Sequence, residues 1–74
     1  MARIDKLIQK MKNRPNGITF EEIAKVLNYN GYILVRVNGS HHHFRNKSGD
    51  LITIPKHHPL KAVYVKDVLD RIGE

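Results

Sequence analysis

The fold is decided by one stretch of the chain, residues 32–54, which reads YILVRVNGSHHHFRNKSGDLITI. Its first part, up to Val37, is β-branched and apolar, and Asn38 and Gly39 can adopt the two positive φ angles of a type I′ turn. Further on, residues 47–49 have the composition of a three-residue hairpin loop with glycine in the left-handed position. The stretch therefore predicts a three-stranded antiparallel meander.

The two turns also predict which residues face each other. With a loop at Asn38 and Gly39, the opposed pairs are Val37 with Ser40, Arg36 with His41, Leu34 with His43 and Tyr32 with Arg45. The second loop sets Arg45 opposite Leu51 and His43 opposite Thr53, and His41 falls near Pro55 at the end of the third strand. One face then carries Ile33, Val35, Val37, Phe44, Ile52 and Ile54, and the other carries Arg36, His41, His43, Arg45 and Thr53.

Helices are predicted before and after this meander in the sequence. Apolar residues at helical spacing, from Ile4 to Met11, indicate a helix from about Arg3 to Asn13. Thr19 and Glu22 form a capping box that begins a second helix, which ends at Gly31. A last helix is marked by Val65, Val68, Leu69 and Ile72. We expect the helices to cover the apolar face, giving an α+β domain of order ααβββα with a three-stranded antiparallel sheet.

The composition favours a polyanionic partner. Thirteen Lys and Arg against seven Asp and Glu give the 74-residue chain a formal net charge of +6, which favours nucleic acid binding. No apolar run approaches the roughly 20 residues of a membrane span, and no secretory signal is visible, so we expect a soluble, cytoplasmic protein with no membrane contact. Cysteine is absent, which excludes disulfides and thiolate metal sites.

The histidines that follow the first turn suggest chemistry on RNA. In the predicted register His41 lies beside Arg36, with Lys56 and His57 close to it. An imidazole among cations suits a phosphodiester, because the cations hold the anion while the imidazole takes the proton of the 2′-hydroxyl. This route needs neither a metal nor a cofactor. A second acid is required, and His43, His57 or a cation remain open for that role. His58, directly before Pro59, is expected to shape the loop.

Other interpretations of the same residues stay open. Exposed histidines on a solvated sheet face need no function, and His42, which points to the helix-covered face, is expected to be a structural histidine. A metal site of His41, His43 and His57 is disfavoured because no carboxylate or cysteine is placed as a further ligand. On physical grounds alone a non-catalytic RNA-binding module is favoured over an enzyme, and a pure protein-interaction domain is the third alternative.

The sequence resembles a known family, the HicA mRNA interferase toxins of bacterial and archaeal toxin–antitoxin systems. The resemblance covers nearly the whole chain. It is carried by four elements, namely ITFEE at residues 18–22, Gly31–Tyr32, GSHHHF at residues 39–44, and ITIP at residues 52–55 with its basic and histidine sequel.

The resemblance implies a fold similar to the double-stranded-RNA-binding domain and the cleavage of mRNA. Residues 1–74 would be one domain, with residues 1–14 an added N-terminal helix and residues 18–74 the core. In that family the histidine directly after Gly-Ser is the catalytic one, so the resemblance implies this role for His41, with Gly39 and Ser40 expected to form the turn that aims it. RNA contacts are expected from Arg36, His43, Arg45, Lys56 and His57. The implied partners are mRNA and a HicB-type antitoxin that covers the basic face.

Overall fold

The computed structural model describes residues 2–57 and 60–74. His58 and Pro59, for which a role in the loop is expected, lie outside them. The elements in chain order are α1 (Ala2–Asn13), a 3-10 turn (Pro15–Gly17), α2 (Phe20–Tyr29), β1 (Ile33–Asn38), β2 (His41–Arg45), β3 (Leu51–Pro55) and α3 (Ala62–Arg71). The order ααβββα and the antiparallel sheet confirm the predicted α+β fold.

The capping box at the start of α2 forms as its sequence predicts. The Glu22 amide donates to the Thr19 hydroxyl at 3.2 Å, and the Thr19 amide donates to the Glu22 carboxylate at 3.0 Å. Lys10 of α1 binds the same carboxylate at 2.7 Å, so α1 and α2 are joined at this point. Burial raises the pKa of Glu22, but the bonds from Lys10 and Thr19 together outweigh it and the net pKa is lowered.

The first hairpin turns one residue later than the sequence predicts. Asn38 pairs with His41, which leaves Gly39 and Ser40 as the two loop residues. Gly39 has a φ of +63°, and no residue other than glycine has a positive φ in the described part of the chain. Positive φ at the first loop position alone is typical of a type II′ turn, whereas type I′ needs it at both positions. The predicted type I′ turn at Asn38 and Gly39 is therefore wrong.

The later turn and a bulge in β1 change the register between β1 and β2. The observed pairs are Ile33 with Arg45, Leu34 with Phe44, Arg36 with His43, Val37 with His42 and Asn38 with His41. Val35 has no partner and forms the bulge, since two residues of β1 here occupy the space of one. The predicted pairs of Arg36 with His41 and Leu34 with His43 are wrong, because the later turn moves the partner of Arg36 by two residues and the bulge, for which the sequence pattern contains no signal, then pairs Leu34 with Phe44.

The second hairpin confirms its prediction. Arg45 pairs with Leu51 and His43 with Thr53. The loop is closed by Asn46, whose amide donates to the Asp50 carbonyl at 3.1 Å, and by the Asp50 amide, which donates to the Asn46 side chain at 2.8 Å. Between them lie three residues, of which Gly49 has a φ of +85°.

The core lies between the helices and only two of the three strands. It contains Met11, Ile18, Phe20, Ile23, Val26, Leu27, Tyr32, Phe44, Ile52, Ile54, Leu60, Val65 and Val68, all buried. Every residue of β1 is exposed. The expectation that Ile33, Val35 and Val37 would line the buried face is wrong, because Ile33 faces the other side, Val35 lies at the bulge and Val37, although on the helix side, is 51% exposed.

A polar network closes the end of the sheet opposite the first turn. The Asp50 carboxylate accepts from the Tyr32 hydroxyl at 2.5 Å, and Arg71 Nη1 donates to both carboxylate oxygens at 2.9 Å. The Tyr32 hydroxyl and the Arg71 guanidinium hold the pKa of Asp50 below its ordinary value, and the hydrogen bond to Asp50 raises the pKa of Tyr32. The network ties α3 to the β2–β3 loop.

Candidate functional site

His41 is the first residue of β2 and follows directly on the Gly39–Ser40 turn. Its partners across the strands are Asn38 and Pro55, and the predicted proximity to Pro55 is confirmed. The side chain is exposed, and its ring makes no hydrogen bond to any residue in the described ranges. His41 therefore presents an imidazole to solvent at the turn end of the sheet face that carries no helix, which we call the open face.

His43 lies two residues further along the open face and has a fixed ring. Its Nδ1 is 2.7 Å from the Thr53 hydroxyl, and Arg36 faces it from β1. The contact leaves Nε2 of His43 without a protein partner in the described part of the chain. Arg45, the next residue on this face, lies between Ile33 and Leu51. The predicted open-face histidines and arginines therefore share one face, but Arg36 lies beside His43 rather than His41.

His42 points to the helix side, as the alternation along β2 predicts. Its ring centroid lies 4.7 Å from that of Phe20, and its Nδ1 is 3.1 Å from the Ser40 carbonyl oxygen. The ring is half-buried. The structural role expected for His42 agrees with these contacts, and the histidine run is divided between two faces of the sheet.

Lys56 and His57 follow β3 at the same end of the sheet as His41. The Lys56 amide donates to the Ser40 carbonyl at 2.7 Å, which binds the loop after β3 to the turn. The Lys56 ammonium, however, lies 5.9 Å above the Phe20 ring on the helix side, where a cation–π contact holds it. His57 is exposed, and its amide donates to the Pro55 carbonyl at 3.0 Å. The expected cluster of His41 with Arg36 and Lys56 is thus not formed.

Two polar neighbours of the histidines were not among the predicted site residues. Asn38 lies directly opposite His41, and Thr53 contacts the His43 ring. Thr53 was already predicted opposite His43, so its hydroxyl could have been recognised as a partner for the ring. Asn38 was assigned to the turn, and only the observed register places it on the open face.

The strands that form the open face carry basic side chains and no acidic ones. The three strands contain Arg36, Arg45 and three histidines, and none of their residues is acidic. The nearest carboxylate in sequence, Asp50, is bound by Tyr32 and Arg71. In the part of the chain that the structure describes, no three His, Asp or Glu side chains form a group that could hold a metal ion. The face is therefore suited to an anionic ligand.

Among the described residues, every helix falls short of the length and hydrophobicity that a membrane-spanning helix requires. A family model described as the HicA toxin of bacterial toxin–antitoxin systems matches residues 20–73, which is most of the chain and includes α2, the whole sheet and α3. No significant match is found among curated proteins or among solved structures. On the strength of the family match, the chain belongs to the HicA toxin family.

Proposed function

We propose that this toxin is a metal-independent endoribonuclease that cleaves mRNA, with His41 as the catalytic general acid/base, and that a HicB-type antitoxin neutralises it. Because mRNA is the proposed substrate, we expect the protein to act in the cytoplasm. The observation that carries the proposal is the placement of His41, an exposed imidazole at the turn end of an open face whose strands contain no acidic residue. Family membership supports the toxin role.

The proposed reaction uses only groups of the RNA and of the protein. His41 takes the proton of the 2′-hydroxyl, and the 2′-oxygen forms a bond to the adjacent phosphorus. The bond from phosphorus to the 5′-oxygen breaks, and a protein acid protonates that oxygen. The products are a 2′,3′-cyclic phosphate and a 5′-hydroxyl end, so the step consumes no water and no cofactor.

His43 is the best-supported candidate for the protein acid. It shares the open face with His41, and two residues along a strand separate the Cα atoms by roughly 7 Å, so both rings can contact one phosphodiester. The Thr53 hydroxyl at Nδ1 fixes the orientation of the ring, which leaves Nε2 for the substrate. His57 stays a second candidate because it is exposed beyond the end of β3.

The remaining cations would hold the RNA. Arg36 and Arg45 lie along the open face, where guanidinium groups suit phosphate oxygens. Lys56 also belongs to this proposed RNA-binding set, at the rim of the face, because its backbone is joined to the turn that precedes His41. Its ammonium lies over Phe20 on the helix side. Gly39 and Ser40 would act by positioning His41.

The test is RNA cleavage by the purified protein in the presence of EDTA. We expect the wild-type protein to cut labelled RNA, and His41→Ala to lose cleavage by at least about 100-fold, the usual contribution of a general acid–base group. RNA binding and the circular dichroism spectrum should stay close to wild type. His42→Ala is the matched control, since its ring points to the helix side; it should still cut RNA in proportion to its folded fraction.

Two results would contradict the assignment. If His41→Ala cut RNA at the wild-type rate, His41 would not be the catalytic residue. If the wild-type protein shifted RNA on a gel in a salt-sensitive way without cutting it, the non-catalytic RNA-binding module would be the correct function.

A further inference from the structure

The strand β1 is an apolar edge that the fold leaves uncovered. Ile33 is 61% exposed and Val37 51%, and Leu34 and Val35 between them are 48% and 43% exposed. These side chains are distributed over both faces of the sheet, because Ile33 shares a face with Arg45 and Leu34 with Phe44. In contrast, Ile52 and Ile54 of the other edge strand, β3, are buried.

The backbone of β1 is also open on its outer side. The sheet order is β1-β2-β3, so β1 pairs with β2 alone, and no other described segment donates to or accepts from its residues. Exposed apolar edge strands are templates for pairing with another chain, and proteins usually protect them with charge, proline or a covering element. In β1 the bulge at Val35 and the single charge of Arg36 are the only such features.

The charges near β1 indicate what kind of chain would pair with it. A strand added beside β1 would place its open-face side chains next to Arg36 and, one strand further, Arg45. No strand of this sheet has an acidic residue to neutralise them. A second copy of this chain would bring together two proteins with a net charge of +6 each, which disfavours pairing. An acidic strand with apolar residues on its other face is complementary to β1.

We propose that β1 is a docking site for an extended acidic segment of the cognate antitoxin, which pairs with residues 33–38 as an additional strand of the sheet. Its apolar side chains would contact Leu34 and Val37 on the helix side, and its carboxylates would bind Arg36 on the open face. The segment would then compete with RNA for Arg36. This inference rests on the antitoxin partner in the proposed function, and it does not depend on RNA cleavage.

The first test is hydrogen exchange of the full-length protein, free and in complex with its cognate antitoxin. In the free protein the amides on the outer side of β1 should exchange quickly. In the complex these outer-side amides of residues 33–38 should be protected by at least about tenfold, because strand addition gives them new hydrogen-bond acceptors. Protection confined to other elements, with β1 unchanged, would overturn the proposal.

The second test uses charge on the β1 edge. The double variant Leu34→Glu and Val37→Glu introduces carboxylates where the acidic segment would pack. Antitoxin binding, measured by titration calorimetry, should weaken by about tenfold or more, as expected for central contacts of an interface. Cleavage of RNA by the free variant should stay near the wild-type rate. Val63→Glu, on an exposed apolar residue of α3, is the matched control and should change neither property.

The outcomes separate this inference from the cleavage proposal. Wild-type antitoxin affinity in the folded double variant would overturn the β1 site, whether or not the protein cuts RNA. If the wild-type protein does not cut RNA and the double variant binds the antitoxin more weakly, the nuclease proposal is overturned and the β1 site is supported. If the free wild-type protein sediments as a dimer that the double variant dissociates, the edge belongs to a second copy of the chain and the proposal is wrong.

Discussion

Three consecutive histidines have three different environments in this protein. The ring of His41 is exposed with no partner in the described chain, His42 contacts Phe20 on the helix side, and His43 is held by Thr53. The period of two along a strand separates His42 from the others, and the cross-strand neighbours then distinguish His41 from His43. At this scale a residue's chemistry depends on which face it occupies and on the residue opposite it.

Asp50 shows how a single carboxylate makes stability depend on pH. Its bonds to Tyr32 and Arg71 hold its pKa below the ordinary value of 3.8, so the folded state favours the ionised form. The stability that these bonds contribute is therefore present above the unfolded-state pKa and is lost as the pH falls through the folded-state pKa. The Tyr32 hydroxyl has the opposite pH dependence, because its pKa is raised in the folded state. The stability that its hydrogen bond contributes is present below about pH 10 and is lost as the pH rises through the folded-state pKa.

We expect Asp50→Asn to reduce the acid sensitivity of folding. The free energy of unfolding of the wild type, measured by urea titration, should fall between about pH 5 and pH 2, and the fall should be smaller in Asp50→Asn. The matched control is Asp70→Asn, which removes an exposed carboxylate of α3 outside the network. An equal acid dependence in the wild type and Asp50→Asn would show that the network does not couple folding to pH.

At the scale of elements, the first hairpin shows that a turn and a bulge together determine a site. Both Asn38–Gly39 and Gly39–Ser40 are compatible with a two-residue loop, and the structure uses the second. Because the loop moves by one residue, each partner moves by two along β2, so Arg36 still lies on the open face, while the bulge at Val35 brings Ile33 to that face. The arginine thus stays on the predicted face but next to a different histidine.

Gly39→Ala tests whether the turn requires a left-handed residue. A Cβ at Gly39 would meet no atom within 4 Å, so the cost comes from the φ of +63° alone. We expect a loss of about 1–2 kcal/mol in the free energy of unfolding, with a smaller loss for Gly39→Asn. Cleavage should fall as well if the turn positions His41. Gly17→Ala is the matched control, since that glycine has equal space and no positive φ; equal stability of the two alanine variants would refute the requirement.

At the scale of the whole molecule, α1 is packed into the core although it precedes the segment that the family model matches. Met11 is fully buried, Leu7 and Ile8 pack against the same cluster, and Lys10 binds Glu22 of α2. We therefore propose that residues 1–74 fold as one unit, in which the added helix supplies apolar surface that so small a domain needs.

Met11→Ala is the test of that unit. Truncating a fully buried methionine should lower the free energy of unfolding by about 2–5 kcal/mol, and urea unfolding should stay a single transition for α1 and the sheet together. Met11→Leu, which conserves volume, should cost less than about 1.5 kcal/mol. The control Gln9→Ala, on the exposed side of the same helix, should change stability by less than about 0.5 kcal/mol. A Met11→Ala protein as stable as the Gln9→Ala control would show α1 to be an appendage.

The sequence by itself determined the features that depend on local chemistry. The capping box at Thr19, the left-handed glycine of the second loop and the separation of His42 from its neighbours all follow from short-range geometry, and the structure confirms them. Only the tertiary structure decided the register of β1 and the location of Lys56. Both depend on contacts between distant segments: the bulge at Val35 is set by pairing with β2, and the Lys56 ammonium is drawn to the ring of Phe20. The exposure of β1 has the same origin, because the strand residues that pack into the core with the helices lie on β2 and β3 and not on β1.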